Sequence, residues 1–241
     1  MAKNYEIDMT SGAILPKLLK LTLPLMLSSV LQLLFNAADV IVVGNFASEN
    51  SLAAVGSTTS LVNLMTNLFL GLSTGANVIT SHYMGAGNND KVGKTVHTSI
   101  FLSIVSGFFL TVMGVIFADK LLALMQTPPE VLGLSTLYLR IYFAGMIAMM
   151  IYNFGSSILR SKGDTKRPLY FLAFSGVINV ALNLFFVIVL KMDVAGVALA
   201  TVISQCISAV LILRCLINET DAFQFQFKRL RPDGKIAAKI L

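Results

Sequence analysis

A polar stripe that contains one acid runs through the first long apolar stretch of the chain, Leu21–Phe46. Its members are Ser28, Gln32, Asn36 and Asp39. Their spacing of four, four and three residues places them on one face of a helix. A carboxyl group within a membrane-spanning helix is costly, so it generally faces a bundle interior or a wet cavity. We therefore predict a functional role for Asp39 and expect the stripe to line a cavity.

Two later apolar runs carry polar side chains at the same helical spacing. The first set is Ser175, Asn179 and Asn183, and the second is Thr201, Gln205 and Ser208. Amide and hydroxyl oxygens can ligate a hard cation, so together with Asp39 they would offer one negative charge and several neutral oxygens. That set suits Na⁺, or a proton held on Asp39. Interhelical hydrogen bonding is the alternative interpretation, and the pattern alone leaves it open for Asn179 and Asn183.

Other candidate side chains fit helix packing better than a site. Asn63, Asn67 and Asn77 are interpreted as interhelical hydrogen-bonding residues. Met146 and Met149 are candidates for lining the cavity, although methionines in an apolar run more often pack against neighbouring helices. The chain has no motif of a hydrolase, zinc enzyme or phosphate-binding loop, and Asp39 has no second acid within the apolar runs for paired acid–base chemistry. We predict that the protein is not an enzyme and has no cofactor apart from a coupling ion.

The composition places these residues in a membrane. Of the 241 residues, 56% are hydrophobic and 12% are charged, whereas soluble proteins carry about 25% charged residues. The net charge of +6 arises from basic residues between apolar runs, which favours an explanation by membrane topology over nucleic-acid binding. The sequence therefore predicts an all-α, polytopic membrane protein.

Six apolar runs divide the chain into three parts. The runs cover about 21–44, 52–83, 97–117, 134–157, 169–190 and 195–216. Residues 1–20 are predicted to be a cytoplasmic tail, with Thr10 or Ser11 capping an interfacial helix. Residues 21–217 form a six-helix transmembrane lobe, and residues 218–241 a basic cytoplasmic linker. Most of the 18 Lys and Arg fall on one side of this arrangement, which places both termini in the cytoplasm of a multi-pass cell-membrane protein.

Several segments together resemble the N-terminal lobe of the multidrug and toxic compound extrusion (MATE) family. These are Pro24, Gln32 and Asp39 in the first run, MGAGNNDKVGK after the second, SSILRSKGDTKRPL after the fourth, NVALN in the fifth and GVALATVISQ in the sixth. The resemblance covers about Ser11 to the chain end. It implies one lobe of a twelve-helix, two-lobe transporter, working as a cation-coupled antiporter that exports organic cations and drugs by alternating access.

The resemblance also implies roles for individual residues. Asp39, Asn179, Asn183 and Thr201 match the cation-coupling positions of the family, as possible Na⁺ ligands. Some members carry an acid at the position of Asn183, so Na⁺ or H⁺ coupling stays open. Gln32, Asn36, Ser28, Gln205, Met146 and Met149 would contribute to the substrate cavity.

The length implies that a partner is missing. A whole family member has about twelve helices, and the tail RLRPDGKIAAKIL resembles the linker to a second lobe. The sequence is interpreted as a truncated product, or as a half-transporter that pairs with another half, and we favour truncation. Two alternative functions remain. A lipid-linked-sugar flippase would expose basic residues in its cavity, for which Arg140 is the candidate within a run, and an inert membrane fragment would do no transport.

Overall fold

The structure, a computed structural model, describes residue 7 and residues 14–240. Its elements are α1 (Ile14–Phe46), α2 (Glu49–Gly85), α3 (Asn89–Leu124), α4 (Pro129–Ala144), α5 (Met146–Ser161), α6 (Lys166–Leu184), a π-helical turn (Phe185–Val189), α7 (Asp193–Ile217), a 3₁₀ turn (Phe227–Arg229) and α8 (Gly234–Ile240). No strand occurs in the described part of the chain. The predicted all-α fold is confirmed.

Short capped turns join the first three helices. The Ser48 side chain accepts the Ser51 N–H at 3.2 Å at the start of α2, and the Asn88 side chain accepts the Lys91 N–H at 3.1 Å at the start of α3. Such side chains satisfy backbone donors that a helix start leaves free. The loop predicted over 84–96 is therefore shorter, because α3 already begins at Asn89. Similarly α3 runs on to Leu124, so the loop predicted over 119–133 is also shorter.

The fourth apolar run, predicted as one span over about 134–157, is divided into two helices with a bend between them. α4 ends at Ala144, α5 begins at Met146, and their axes differ by 47°. A β-carbon on Gly145 would lie 2.8 Å from the Val202 side chain of α7. The break therefore coincides with a close approach of two helices, which glycine permits because it has no side chain.

Six helical rods correspond to the six predicted runs. α1, α3, α6 with its π-helical turn, and α7 are each long and apolar enough to cross a membrane, and the bent α4–α5 pair would make a fifth span. The sixth rod, α2, is 37 residues long but does not reach the same apolarity, since asparagine, serine and threonine recur along it. Five of these polar positions, Asn63, Thr66, Asn67, Ser73 and Thr74, line the site described below.

The predicted interfacial helix before the first span is continuous with that span. Residues Ile14–Lys20 belong to α1 and pass into the apolar run without a break, so the boundary predicted at residue 20 is not a helix boundary. The cap predicted at Thr10 or Ser11 lies outside the described residues. Pro24 lies within α1, where it removes one backbone donor.

The core lies around α3. This helix packs against α4 and α5, α5 packs against α2 and α7, and α1 packs on α6. Fully buried Phe143, Met146, Met150 and Phe154 fill the centre, while α1 exposes large apolar side chains such as Leu33 and Ile41. The arrangement leaves an open space between α1 and the core helices.

The segment predicted to be a basic linker folds back onto the lobe. Phe223, Phe225, Ile236 and Ile240 are buried. The Gln226 N–H donates to His97 Nε2 at 3.1 Å, and the Asp233 N–H donates to the Thr98 hydroxyl at 3.0 Å. This segment is therefore attached to the ends of α2 and α3 through residue 240.

Replacing Phe225 with alanine should detach this segment. Phe225 is 1% exposed and its ring lies 5.4 Å from that of His97. Since removing a buried phenylalanine side chain costs about 3–5 kcal/mol, we expect trypsin to cut at Lys228 or Arg229 at least about tenfold faster. Phe227→Ala is the matched control because that ring is 65% exposed. Equal cleavage rates in the two variants would contradict the observed packing.

Candidate functional site

A cavity of about 490 Å³ lies between α1, α2, α5, α6 and α7. Its lining is dominated by hydroxyl and amide side chains. It consists of Leu25, Ser28, Ser29, Gln32, Phe35, Asn36, Asp39, Asn63, Thr66, Asn67, Leu70, Ser73, Thr74, Tyr142, Met149, Tyr152, Asn153, Arg160, Leu172, Ser175, Gly176, Asn179, Thr201, Ser204, Gln205 and Ser208. The size is within the range of small-molecule sites.

The cavity joins the stripes that the sequence singled out. All four members of the α1 stripe line it, as do Asn179 of α6 and both Thr201 and Gln205 of α7. α1 is brought to α6 by a glycine contact, because Phe35 lies directly against Gly176, where any side chain would collide with its ring. The Ser208 hydroxyl donates to the Ser175 hydroxyl at 2.6 Å and ties α7 to α6.

Asp39 and three polar residues form one hydrogen-bonded chain. The Asn183 amide donates to Asp39 Oδ1, and it also lies 3.4 Å from Asn179 Oδ1. The Asn179 amide in turn donates to the Thr201 hydroxyl at 3.4 Å. The four residues predicted to act together in coupling thus meet where α1, α6 and α7 come together. Asn183 is fully buried behind Asp39 and does not itself line the cavity.

This hydrogen-bonded series of side chains contains a buried oxygen atom that lacks a hydrogen-bond donor. Asn183 Oδ1 has no hydrogen bond within the described residues, although buried acceptors are nearly always satisfied. Together with the Asp39 carboxylate and the Thr201 hydroxyl it offers the hard oxygen donors that Na⁺ takes. No cluster of three or more His, Cys, Asp or Glu occurs in the described part of the chain. These oxygen atoms are donors of the kind that a hard cation takes, and the Asp39 carboxylate can instead hold a proton.

Two other candidates differ in placement. Met149 lines the cavity. Met146 does not line it: this residue is 1% exposed and packs in the core, because the break at Gly145 turns it inward. Asn63 and Asn67, interpreted from the sequence as packing residues, line the cavity, whereas Asn77 does join helices, donating to the Ser157 carbonyl at 2.8 Å. The spacing of Asn63 and Asn67 matches that of the α1 stripe and could have indicated a second lining face.

The basic residue of the cavity is one that the sequence placed in a loop. Arg140, the candidate within a run, pairs instead with Asp119 at 2.6 Å and is exposed. Arg160, in the last turn of α5, lines the cavity. The basic residue that the cavity exposes is therefore Arg160 and not Arg140, the candidate from the sequence. The helix continues to Ser161 and this extra turn brings Arg160 inward.

Comparisons with known proteins agree with this geometry. The MatE family model matches residues 24–185. A probable multidrug resistance protein of Bacillus subtilis, YpnP, is 32% identical over 83% of the chain and 45% of its own length. NorM of Thermotoga maritima, also a probable multidrug resistance protein, is 28% identical over 99% of the chain and 52% of its own length.

A solved structure shares the fold. It shows the outward-facing conformation of a multidrug resistance MATE family transporter, with a TM-score of 0.86 and 26% identity over 93% of this chain and 50% of that one. The chain thus spans about half the length of the relatives it matches. Members of this family are transporters and not enzymes. The chain belongs to the multidrug and toxic compound extrusion family, of which it represents one six-helix lobe.

Proposed function

We propose that this lobe is half of a cation-coupled antiporter that exports organic cations and drugs. The observation that carries the proposal is the series of hydrogen bonds that joins Asp39, Asn183, Asn179 and Thr201 beside the polar cavity. The relatives named as multidrug resistance proteins support drug export over the flippase and the inert fragment. The cavity holds the drug, and the hydrogen-bonded chain holds Na⁺ or a proton.

Drug export is coupled to ion entry because the drug and the coupling ion compete for Asp39. Asp39 belongs both to the hydrogen-bonded chain and to the cavity wall. A cation on Asp39 neutralises the one negative charge among the described lining residues, so the cavity attracts a cationic drug less strongly. Binding of the coupling ion and release of the drug then belong to the same step, and Asp39 biases the two states of alternating access.

The proposal assigns the lobe an orientation in the cell membrane. Lys162 pairs with Glu219 and Asp221 at 2.6 Å each, and Lys239 lies 3.2 Å from the Tyr83 hydroxyl. The basic loop after α5, the end of α2 and the final segment therefore share one face, which the positive-inside rule places in the cytoplasm. A second six-helix lobe, or another half-transporter, completes the translocation pathway.

Competition between drug and ion tests the proposal directly. The 241-residue chain is placed in lipid nanodiscs, and binding of the cationic dye rhodamine 123 is followed by fluorescence anisotropy. Since a coupling free energy of 1–3 kcal/mol changes affinity by about 5- to 150-fold, we expect Na⁺ or acidification to weaken dye binding at least about fivefold. Choline at equal ionic strength is the control for screening.

Two results would contradict the proposal. One is the absence of dye binding under any condition, which supports the inert fragment. The other is dye binding that neither Na⁺ nor pH changes, which removes the coupling. Dye movement driven by an imposed gradient in liposomes that contain the chain alone distinguishes a self-pairing half-transporter from a lobe that needs a different second half.

A further inference from the structure

The cavity wall contains two charged side chains among its described residues, Asp39 and Arg160. Every other lining residue is apolar or carries a neutral hydroxyl or amide group. The proposed function uses Asp39 and leaves the guanidinium without a role. A cavity for simple organic cations gains nothing from a positive charge in its wall, so Arg160 requires an explanation.

The two charges lie at opposite ends of the cavity. Asp39 contacts Asn183 near the end of α6, whereas Arg160 lies just before the loop that leads into α6 at Lys166. Asn183 is 17 residues beyond Lys166, which at 1.5 Å per residue is on the order of 25 Å along the helix. A ligand group at Arg160 is therefore separate from the coupling ion at Asp39.

Arg160 has no anionic partner within the described residues. Its Nε atom is buried and makes no hydrogen bond. The neighbouring acids are occupied by other cations, since Lys162 pairs with Glu219 and Asp221, and Arg167 pairs with Asp164. The C-terminus of α5 attracts a cation weakly but does not satisfy Nε. Arg160 as a whole is only partly buried and borders the cavity, so an anionic group of a ligand in the cavity can reach the guanidinium and supply the partner that the described residues do not.

We propose that Arg160 binds the carboxylate of a small zwitterionic drug in this cavity. The planar guanidinium presents paired N–H donors that match a carboxylate, and such charge-assisted hydrogen bonds are about twice as strong as neutral ones. The cavity wall also contains Tyr152, Asn153 and Ser29, an aromatic ring and hydrogen-bonding groups that suit an aromatic body with polar substituents. This inference rests on the proposed function, because the ligand is the exported drug.

A pair of dyes that differ in one group tests the inference. Rhodamine 110 carries a free carboxylate, and rhodamine 123 is its methyl ester. Binding of each dye to the 241-residue chain in nanodiscs is measured by anisotropy, and the ratio of the two dissociation constants is compared. We expect the wild-type chain to prefer rhodamine 110 by about tenfold, Arg160→Gln to bring the ratio to about one, and Arg160→Lys to give an intermediate ratio.

Arg140→Gln is the matched control, because Arg140 is an arginine of the same lobe that is paired with Asp119 outside the cavity. Its ratio should equal that of the wild type. A wild-type ratio near one, or an unchanged ratio in Arg160→Gln, overturns the inference and leaves the proposed function standing. The absence of binding by both dyes overturns the proposed function together with this inference.

Discussion

Asp39→Asn should abolish ion-coupled drug efflux by the transporter that this lobe forms with its second half. In nanodiscs, the ratio of dye dissociation constants measured with and without the coupling ion should fall from at least about fivefold to about one. The physical reason is the loss of the one negative charge among the described lining residues of the cavity. Dye efflux and dye anisotropy, measured in parallel, check the two statements.

The substitution is expected to leave the lobe folded. Asparagine has the size of aspartate, and its carbonyl oxygen can accept the Asn183 amide hydrogen that Asp39 Oδ1 accepts now. Yield from membranes and the far-UV circular dichroism spectrum should therefore match the wild type. A collapse in yield would assign Asp39 a structural role instead.

Two further variants separate charge from position. Asp90→Asn makes the same chemical change at an exposed site, where Asp90 pairs with Lys94 at 2.8 Å, and should leave efflux intact. Asp39→Glu keeps the charge but moves it by one methylene group, and should retain part of the ion sensitivity. Unchanged coupled efflux in Asp39→Asn would refute the role of the carboxylate.

The polar stripes were visible in the sequence because helical spacing determines which side chains share a face. The α1 stripe ending at Asp39 lines the cavity, as its spacing of three and four residues indicates. The spacing also groups Asn179 with Asn183 but does not say that Asn183 lies behind Asp39 with an unpaired oxygen. That arrangement depends on how α1 is rotated against α6, which the contact of Phe35 with Gly176 sets.

Other features depend on packing that no local pattern encodes. The inward position of Arg160 follows from one extra turn of α5 and from pairing of the nearby acids with Lys162 and Arg167. The bend at Gly145 follows from the approach of Val202. By contrast, the folded-back final segment left a signal: alternate phenylalanines in AFQFQF, at 222–227, are typical of an extended segment with one buried face.

Lys162→Met should lower the free energy of unfolding by about 1–3 kcal/mol, the cost of losing a buried charged hydrogen-bond partner, because Glu219 keeps its ion pair with Arg167. Lys162 is 5% exposed, and its ammonium group lies 2.6 Å from both Glu219 and Asp221. Methionine fills similar space without the charge, so the substitution leaves these carboxylates with less compensation. Unfolding by heat or by sodium dodecyl sulfate, followed by far-UV circular dichroism in detergent, measures the change.

Lys94→Met provides the comparison, since the Lys94–Asp90 pair has side chains that are 53% and 76% exposed. Exposed pairs contribute about 0–1 kcal/mol, so this variant should unfold close to the wild type. The buried pair also attaches the final segment to the loop after α5, and Lys162→Met should therefore speed tryptic cleavage at Lys228 and Arg229 as Phe225→Ala does. If the two lysine variants unfolded alike, the ion pair at Lys162 would have to be open to solvent, and it would then no longer explain why Arg160 lacks an acidic partner.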